Sequence, residues 1–116
     1  MRDFSVLKKR EEEEKALLKQ CKKIIQSTES SAVVILYGSR ARGDGLPESD
    51  YDLLVLVDES PVDLKKEDLI RRQLFPLELE TGYVFTVNVY SRQEWESPVY
   101  RAMPFCQNVE REGIIL

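Results

Sequence analysis

Residues 37–57 read YGSRARGDGLPESDYDLLVLV, in which a glycine-rich turn and an acidic pair are each joined to an apolar run. The run before the turn, residues 32–37, is short and apolar, which predicts a buried strand. A glycine and a serine at a strand end, followed by a short helical turn, leave backbone N–H groups free for a phosphate. The sequence therefore predicts a phosphate-binding turn at Gly38 and Ser39.

Charged side chains surround this turn. Arg40 and Arg42 are candidates to bind the same anion, because guanidinium groups donate charge-assisted hydrogen bonds to phosphate. Asp50 and Asp52 lie two residues apart at the start of the second apolar run, which places them on one face of a strand. Two neighbouring carboxylates repel each other unless a cation lies between them, and Mg²⁺ prefers such oxygen ligands. Phosphate donors beside a metal site predict chemistry on a nucleoside triphosphate.

Composition limits the classes of protein that the chain can represent. Its 116 residues predict one domain, 1–116, with an N-terminal helix in 1–28, a core that holds the site in 32–90, and short helices in 91–116. The net charge of −4 argues against nucleic acid as a partner. The chain has no histidine, which excludes histidine-based acid–base catalysis and histidine-ligated zinc.

Cysteine usage and apolar runs bear on the location of the protein. Cys21 and Cys106 are far apart and lack metal-ligand spacing, so we expect free thiols in a reducing compartment rather than a disulfide. The first residues carry charges instead of the apolar core of a signal peptide. No apolar run is long enough to span a bilayer. These features predict a cytoplasmic protein without membrane contact.

Apolar patterning predicts three strands, and the middle one is apolar enough to be buried on both faces. We expect these strands at residues 32–37, 51–57 and 83–90. The apolar end of the chain, Ile114 to Leu116, could form an edge strand or an interface, and we favour the edge strand. Helices are expected over residues 5–26, 60–80, 91–95 and 105–112.

The helix after the second strand has distinct boundary signals. Ser60 is expected to cap it, with Pro61 at the first helical position and Asp63 completing a pattern similar to a capping box. Pro76 lies inside the helix and is expected to kink or split it. The order of helices and strands predicts an α/β (α+β) fold in which helices pack on a small mixed β-sheet.

The turn and the acidic pair together resemble the signature of the minimal nucleotidyltransferases of the DNA polymerase beta superfamily. In that family a glycine-serine turn opens a short helix and Asp-x-Asp follows on the next strand, as Gly38-Ser39 and Asp50-Tyr51-Asp52 do here. The resemblance implies the polymerase beta-like nucleotidyltransferase fold and the transfer of a nucleotide, with AMP from ATP preferred. It also implies Mg²⁺ as the cofactor, with Asp50 and Asp52 as catalytic metal ligands.

The family usually places a third carboxylate on the following strand, where this chain has Asn88. An amide carbonyl can contact a metal, but it cannot accept a proton from an attacking hydroxyl. Asn88 is therefore a metal-ligand candidate that departs from the family pattern. Two main hypotheses follow: an active nucleotidyltransferase, or a catalytically impaired nucleotide-binding or antitoxin-like module. A purely structural protein is a third, weaker alternative.

The resemblance also implies partners. Minimal chains of this superfamily often work beside a helical protein of the HEPN type, in pairs that resemble a toxin and its antitoxin. The helical protein is then the expected acceptor of AMP. A homodimer is another expected way to supply the surface that so short a chain lacks. These partner expectations come from the resemblance and not from the residues themselves.

Overall fold

The computed structural model describes all 116 residues, with two long helices, several short ones and four strands. The helical elements are a 3-10 helix Phe4–Leu7, then α1 Glu12–Thr28, α2 Ser39–Arg42, α3 Leu64–Thr81, α4 Arg92–Trp95, α5 Pro98–Arg101 and α6 Pro104–Glu112. The strands are β1 Val33–Tyr37, β2 Tyr51–Val57, β3 Phe85–Ser91 and β4 Ile114–Ile115.

The four strands form one mixed sheet in the order β3-β2-β1-β4. β1 is antiparallel to β2 and β4, whereas β2 and β3 are parallel. β2 is interior to the sheet, and its residues from Leu53 to Val57 are all buried, as the apolar run predicts. The small mixed sheet with helices packed on it confirms the predicted α+β fold class. The predicted edge strand at the end of the chain is confirmed by β4.

Helices cover both faces of the sheet, so the sheet separates the core into two halves. On one face, α1 and α3 pack over apolar strand residues such as Leu53 and Val87. On the other face, Trp95, Cys106 and Val109 of the C-terminal helices cover the apolar residues that follow Asp52 along β2. None of the helices combines the length and the apolar character that crossing a bilayer requires. Asp52 thus lies on the face that the C-terminal helices cover.

The two cysteines lie in these separate halves of the core. Cys21 packs with the α1 and α3 side, and Cys106 packs with the C-terminal helices. Both are buried, free thiols, which confirms that they do not pair. Burial raises the pKa of Cys21 to about 12, so this thiol stays protonated at neutral pH.

The helix predicted over residues 5–26 is interrupted. Asp3 caps the 3-10 helix by accepting a hydrogen bond from the N–H of Ser5, and Leu7 at its end is buried in the core. Residues 8–11 are charged and offer no apolar side chain that would hold a helix on the sheet. The chain therefore leaves helical geometry there, and α1 begins only at Glu12.

The predicted start of α3 was also wrong. The helix begins at Leu64, and the cap is Asp63, whose carboxylate accepts a hydrogen bond from the N–H of Lys65 at 2.9 Å. Ser60 lies four residues before the helix and does not cap it. Pro76 does not split α3, which runs on to Thr81 and ends at Gly82, where the backbone is left-handed.

β3 lies at an open edge of the sheet, and two charged side chains of α3 bind its backbone. The Glu78 carboxylate accepts a hydrogen bond from the N–H of Phe85 at 2.8 Å. The Arg71 guanidinium donates to the carbonyl of Val87 at 3.4 Å. Peptide groups that lack a neighbouring strand are thereby partly satisfied by the protein itself.

The position of the α3 cap can be tested by comparing two alanine substitutions. Asp63→Ala removes the side chain that accepts from Lys65, so we expect it to lower the free energy of unfolding by about 1 kcal/mol. Ser60→Ala serves as the control and should change that free energy by less than about 0.5 kcal/mol. Urea unfolding measures both. A larger loss in Ser60→Ala than in Asp63→Ala would contradict this assignment of the cap.

Candidate functional site

Asp52 lies at the centre of the candidate site. It is the second residue of β2, paired with Tyr37 of β1 on one side and with Thr86 of β3 on the other. Its side chain is half-buried, and its Oδ1 accepts a hydrogen bond from the Thr86 hydroxyl at 2.6 Å. The short distance is typical of a hydroxyl that donates to an ionised carboxylate. Asp52 is therefore a fixed carboxylate at one end of the sheet.

Gly38 brings the predicted phosphate turn against this carboxylate. The residue follows β1 directly and has φ of 75° and ψ of −158°, a conformation that only glycine adopts readily. A Cβ at this position would overlap Oδ2 of Asp52 and would lie 3.3 Å from its Cγ. The sequence motif thus forms a real junction, in which the backbone of the turn packs directly on the acidic side chain.

α2 begins at Ser39, immediately after this contact. No side chain caps the N-terminus of α2, so its first N–H groups have no partner from a capping residue. The carbonyl of Gly38 accepts hydrogen bonds from the N–H groups of Ala41 and Arg42, which closes the turn. The predicted role of the turn as a phosphate site remains a prediction.

Asp50 lies just before β2 and is exposed to solvent. The segment that carries it is held in place by Ser49, whose hydroxyl accepts a hydrogen bond from the N–H of Leu46 at 2.9 Å. Ser49 thus shapes the loop, as its position suggests. The two acidic residues differ in environment, because Asp52 is anchored in the sheet and Asp50 is exposed in the loop before it.

Arg40 contacts the loop before β2 in this structure. Its guanidinium donates to the carbonyls of Pro47 and Ser49 at 3.0 Å each, and it lies 4.4 Å from the centre of the Tyr51 ring. Tyr51 packs in the half of the core under α1 and α3, on the face opposite Asp52. Arg40 therefore orders the 43–49 loop here, and its role in binding a nucleotide remains a prediction.

Arg42 is exposed and forms ion pairs at the surface. It contacts Asp44 at 3.2 Å and Glu112 at 2.8 Å. The second pair joins α2 to the end of α6. Exposed pairs of this kind contribute little stability, so Arg42 could exchange these partners for an anion at small cost. Its predicted contact with a nucleotide also remains a prediction.

Asn88 faces Tyr37 rather than Asp52. Its side-chain amide donates to the Tyr37 hydroxyl at 2.8 Å, across the intervening strand β2. Burial raises the pKa of Tyr37; the Asn88 hydrogen bond lowers it in part, and the charge of Asp52 raises it. Tyr37 therefore stays protonated at neutral pH. In the sequence, Tyr37 stands out only as the last residue of the first apolar run.

The side chains present fit a divalent cation in part. Asp52 offers a carboxylate oxygen beside the turn, and the exposed Asp50 lies two residues before it in the chain. Carboxylate oxygens of this kind suit an ion that keeps several waters and also binds phosphates. The absence of a side chain at Gly38 lets the backbone of the turn approach Oδ2 of Asp52 closely. No group of three or more acidic, histidine or cysteine side chains is gathered anywhere in the chain. The protein therefore holds no complete cation cage of its own.

The sequence matches the family model described as "Nucleotidyltransferase domain" over residues 18–114. That range includes the Gly38 turn, both aspartates and Asn88, and it covers more than half of the 116 residues. The chain therefore belongs to the nucleotidyltransferase domain family, and its resemblance to the minimal nucleotidyltransferases is confirmed. Members of this family generally use a divalent metal ion.

Two individual proteins are also similar to the chain. A protein of Methanocaldococcus jannaschii, provisionally named protein adenylyltransferase, is 53% identical over 38 residues. The match covers 33% of this chain and only 38% of that protein. A solved structure described as "Crystal structure of the toxin-antitoxin with AMP-PNP" superposes with a TM-score of 0.58 at 19% identity, over 84% of this chain and 69% of that one. The superposition shows that the fold is shared.

Replacing Gly38 tests the junction between the turn and Asp52. Gly38→Ala should displace the Asp52 carboxylate and lower the free energy of unfolding by more than the cost of a positive φ alone. Gly82→Ala is the control, because Gly82 also has a positive φ but has no atom within 4 Å of an added Cβ. The control should lose about 1–2 kcal/mol.

Both variants are measured by urea unfolding and by the binding of Mn²⁺ in the presence of a non-hydrolysable ATP analogue. Gly38→Ala is expected to lose the ion and Gly82→Ala to keep it. Equal stability losses with equal ion binding would show that the contact between Gly38 and Asp52 has no part in the site.

Proposed function

We propose that the protein is a Mg²⁺-dependent nucleotidyltransferase that transfers AMP from ATP to an acceptor hydroxyl. The observation that carries the proposal is the contact of Gly38 with Oδ2 of Asp52. It puts an anchored carboxylate beside a turn whose first N–H groups are uncapped. A triphosphate bound at Gly38 and Ser39 would then lie within reach of a cation on Asp50 and Asp52.

The reaction would be an attack by the acceptor oxygen on the α-phosphorus, with pyrophosphate as the leaving group. Mg²⁺ would stabilise the negative charge that develops on the reacting oxygens. The contribution of the chain would be to orient the triphosphate through backbone N–H groups and to take up the proton of the acceptor. Asn88 cannot accept a proton, so Asp50 and Asp52 are the groups of the site that can.

A protein acceptor fits what the similar proteins are called. The relative from Methanocaldococcus jannaschii is provisionally named protein adenylyltransferase, and the solved structure of similar fold is described as a toxin-antitoxin with AMP-PNP. A helical partner of the HEPN type would fit the same context and would supply the acceptor. A second copy of this chain is the alternative partner. Two buried, free thiols suit the reducing cytoplasm in which such a pair would work.

Substitution of Asp52 tests the proposed reaction. Asp52→Asn keeps the shape of the side chain but removes its charge, so we expect it to abolish transfer of label from [α-³²P]ATP with Mg²⁺. Asp68→Asn is the control, because Asp68 is exposed on α3 and pairs only with Arg72. Acceptors to assay are the chain itself and proteins encoded beside it. Full transfer by the Asp52 variant would remove this residue from the mechanism.

A catalytically impaired module is the second candidate function, and Asn88 is the observation that favours it. The protein would then bind a nucleotide, or bind and neutralise a helical partner, without transferring AMP. The amide of Asn88 donates a hydrogen bond to the hydroxyl of Tyr37 and none to Asp52. The position at which the family has its third carboxylate is thus neutral and occupied by another interaction.

Asn88→Asp separates the two functions. The Tyr37 hydroxyl can donate to the introduced carboxylate, so the contact survives with its direction reversed. If the native site is impaired, transfer should rise by about 100-fold or more, the usual contribution of a positioned proton acceptor. Asn108→Asp on the surface of α6 makes the same change of charge elsewhere. Unchanged transfer in Asn88→Asp would show that this position does not limit the activity.

A further inference from the structure

The carboxylate of Asp52 presents its two oxygens to different neighbours. Oδ1 accepts the hydrogen bond from the hydroxyl of Thr86 at 2.6 Å. Oδ2 is the atom that an added Cβ on Gly38 would meet first. One oxygen is thus held by strand β3, and the other faces the start of α2. A carboxylate with one oxygen fixed in this way cannot rotate freely, so Oδ2 stays directed at the turn.

Thr86, rather than Asn88, is the β3 side chain that hydrogen-bonds to an aspartate of the site. In the parallel register Thr86 pairs with Asp52, whereas Asn88 pairs with Leu54, one same-face step farther along the strand. The amide of Asn88 donates to Tyr37 instead. The family motif directs attention to residue 88, but the hydrogen bond to the acid comes from residue 86.

We propose that Thr86 is a positioning residue of the site. Its hydroxyl holds Oδ1 of Asp52, so that Oδ2 is the oxygen offered to a divalent cation at the Gly38–Ser39 turn. The inference rests on the proposed nucleotide transfer and adds to it a residue that the family signature does not contain. Outer groups that hydrogen-bond to ligating carboxylates fix their orientation, and their loss weakens the binding of the ion.

The matching variants are Thr86→Val, which keeps the branched shape but removes the hydroxyl, and Thr86→Ser, which keeps the hydroxyl. Thr81→Val is the remote control, since the Thr81 hydroxyl donates only to the carbonyl of Leu77 within α3. The probe is Mn²⁺, titrated by electron paramagnetic resonance with a non-hydrolysable ATP analogue present. Thr86→Val should bind Mn²⁺ about 10-fold more weakly, as the loss of such an outer contact typically does.

Thr86→Ser and Thr81→Val should bind the ion as the native protein does. Urea unfolding establishes that each variant is folded, and Thr86→Ala replaces Thr86→Val if the valine variant is not. Native Mn²⁺ affinity in Thr86→Val would overturn the role of Thr86 and leave the proposed function intact. Equal weakening in Thr86→Val and Thr86→Ser would also overturn it, because the hydroxyl would then not be the cause.

Failure of the proposed function gives a different result. A native protein that binds Mn²⁺ and the ATP analogue but transfers no AMP would overturn the transfer alone, and the Thr86 comparison would still decide the positioning role. A native protein that binds neither would overturn both, because Thr86 would then have no ion to position. Where transfer is measurable, Thr86→Val should lower kcat and raise the Mn²⁺ concentration needed for half-maximal rate. Excess Mn²⁺ should then restore part of the lost rate, which a variant with a merely damaged fold would not show.

Discussion

The approach of the Gly38 backbone to the Asp52 carboxylate is the contact on which the rest of the site depends. It arises because β1 and β2 are antiparallel and their ladder ends at the pair Tyr37 and Asp52. The next residue after Tyr37 must then pass beside that carboxylate, and only a residue without a side chain fits there. The same geometry sets the start of α2 beside an acid. The same close approach therefore explains why residue 38 must be glycine and why the start of α2 lies beside a carboxylate.

Local signals were sufficient for the elements that frame this contact. The apolar runs that become β1 and β2 are continuous and short, so their boundaries could be predicted almost to the residue. The cap of α4 has an equally local cause, because Ser91 lies three residues before Glu94 and accepts a hydrogen bond from its N–H. The same capping rule predicts the wrong cap for α3, because Asp63 is a second possible cap and, unlike Ser60, lies next to the helix. Sequence patterns therefore predict the presence of a helix or strand more accurately than they predict its first residue.

The side-chain contacts of the site could not be predicted from such patterns. Whether Thr86 or Asn88 meets Asp52 depends on the register of two strands that are far apart in sequence. Likewise, the sequence suggests that Arg40 binds an anion, but its stacking on Tyr51 depends on how the loop before β2 folds back. Proximity of the turn to the acid followed from the motif. Which neighbouring side chains contact the turn and the acid could be determined only from the three-dimensional structure.

Glu78 and Arg71 of α3 bind the backbone of β3, and these contacts limit how the sheet can pair with another molecule. A strand that paired with this edge of β3 would have to displace the Glu78 carboxylate from the Phe85 N–H and the Arg71 guanidinium from the Val87 carbonyl. Growth of the sheet into a fibre or a continuous intermolecular ribbon is therefore discouraged on this flank. A partner protein that binds through side chains, and not by strand pairing at this edge, would leave the β-sheet and the Asp52 carboxylate undistorted.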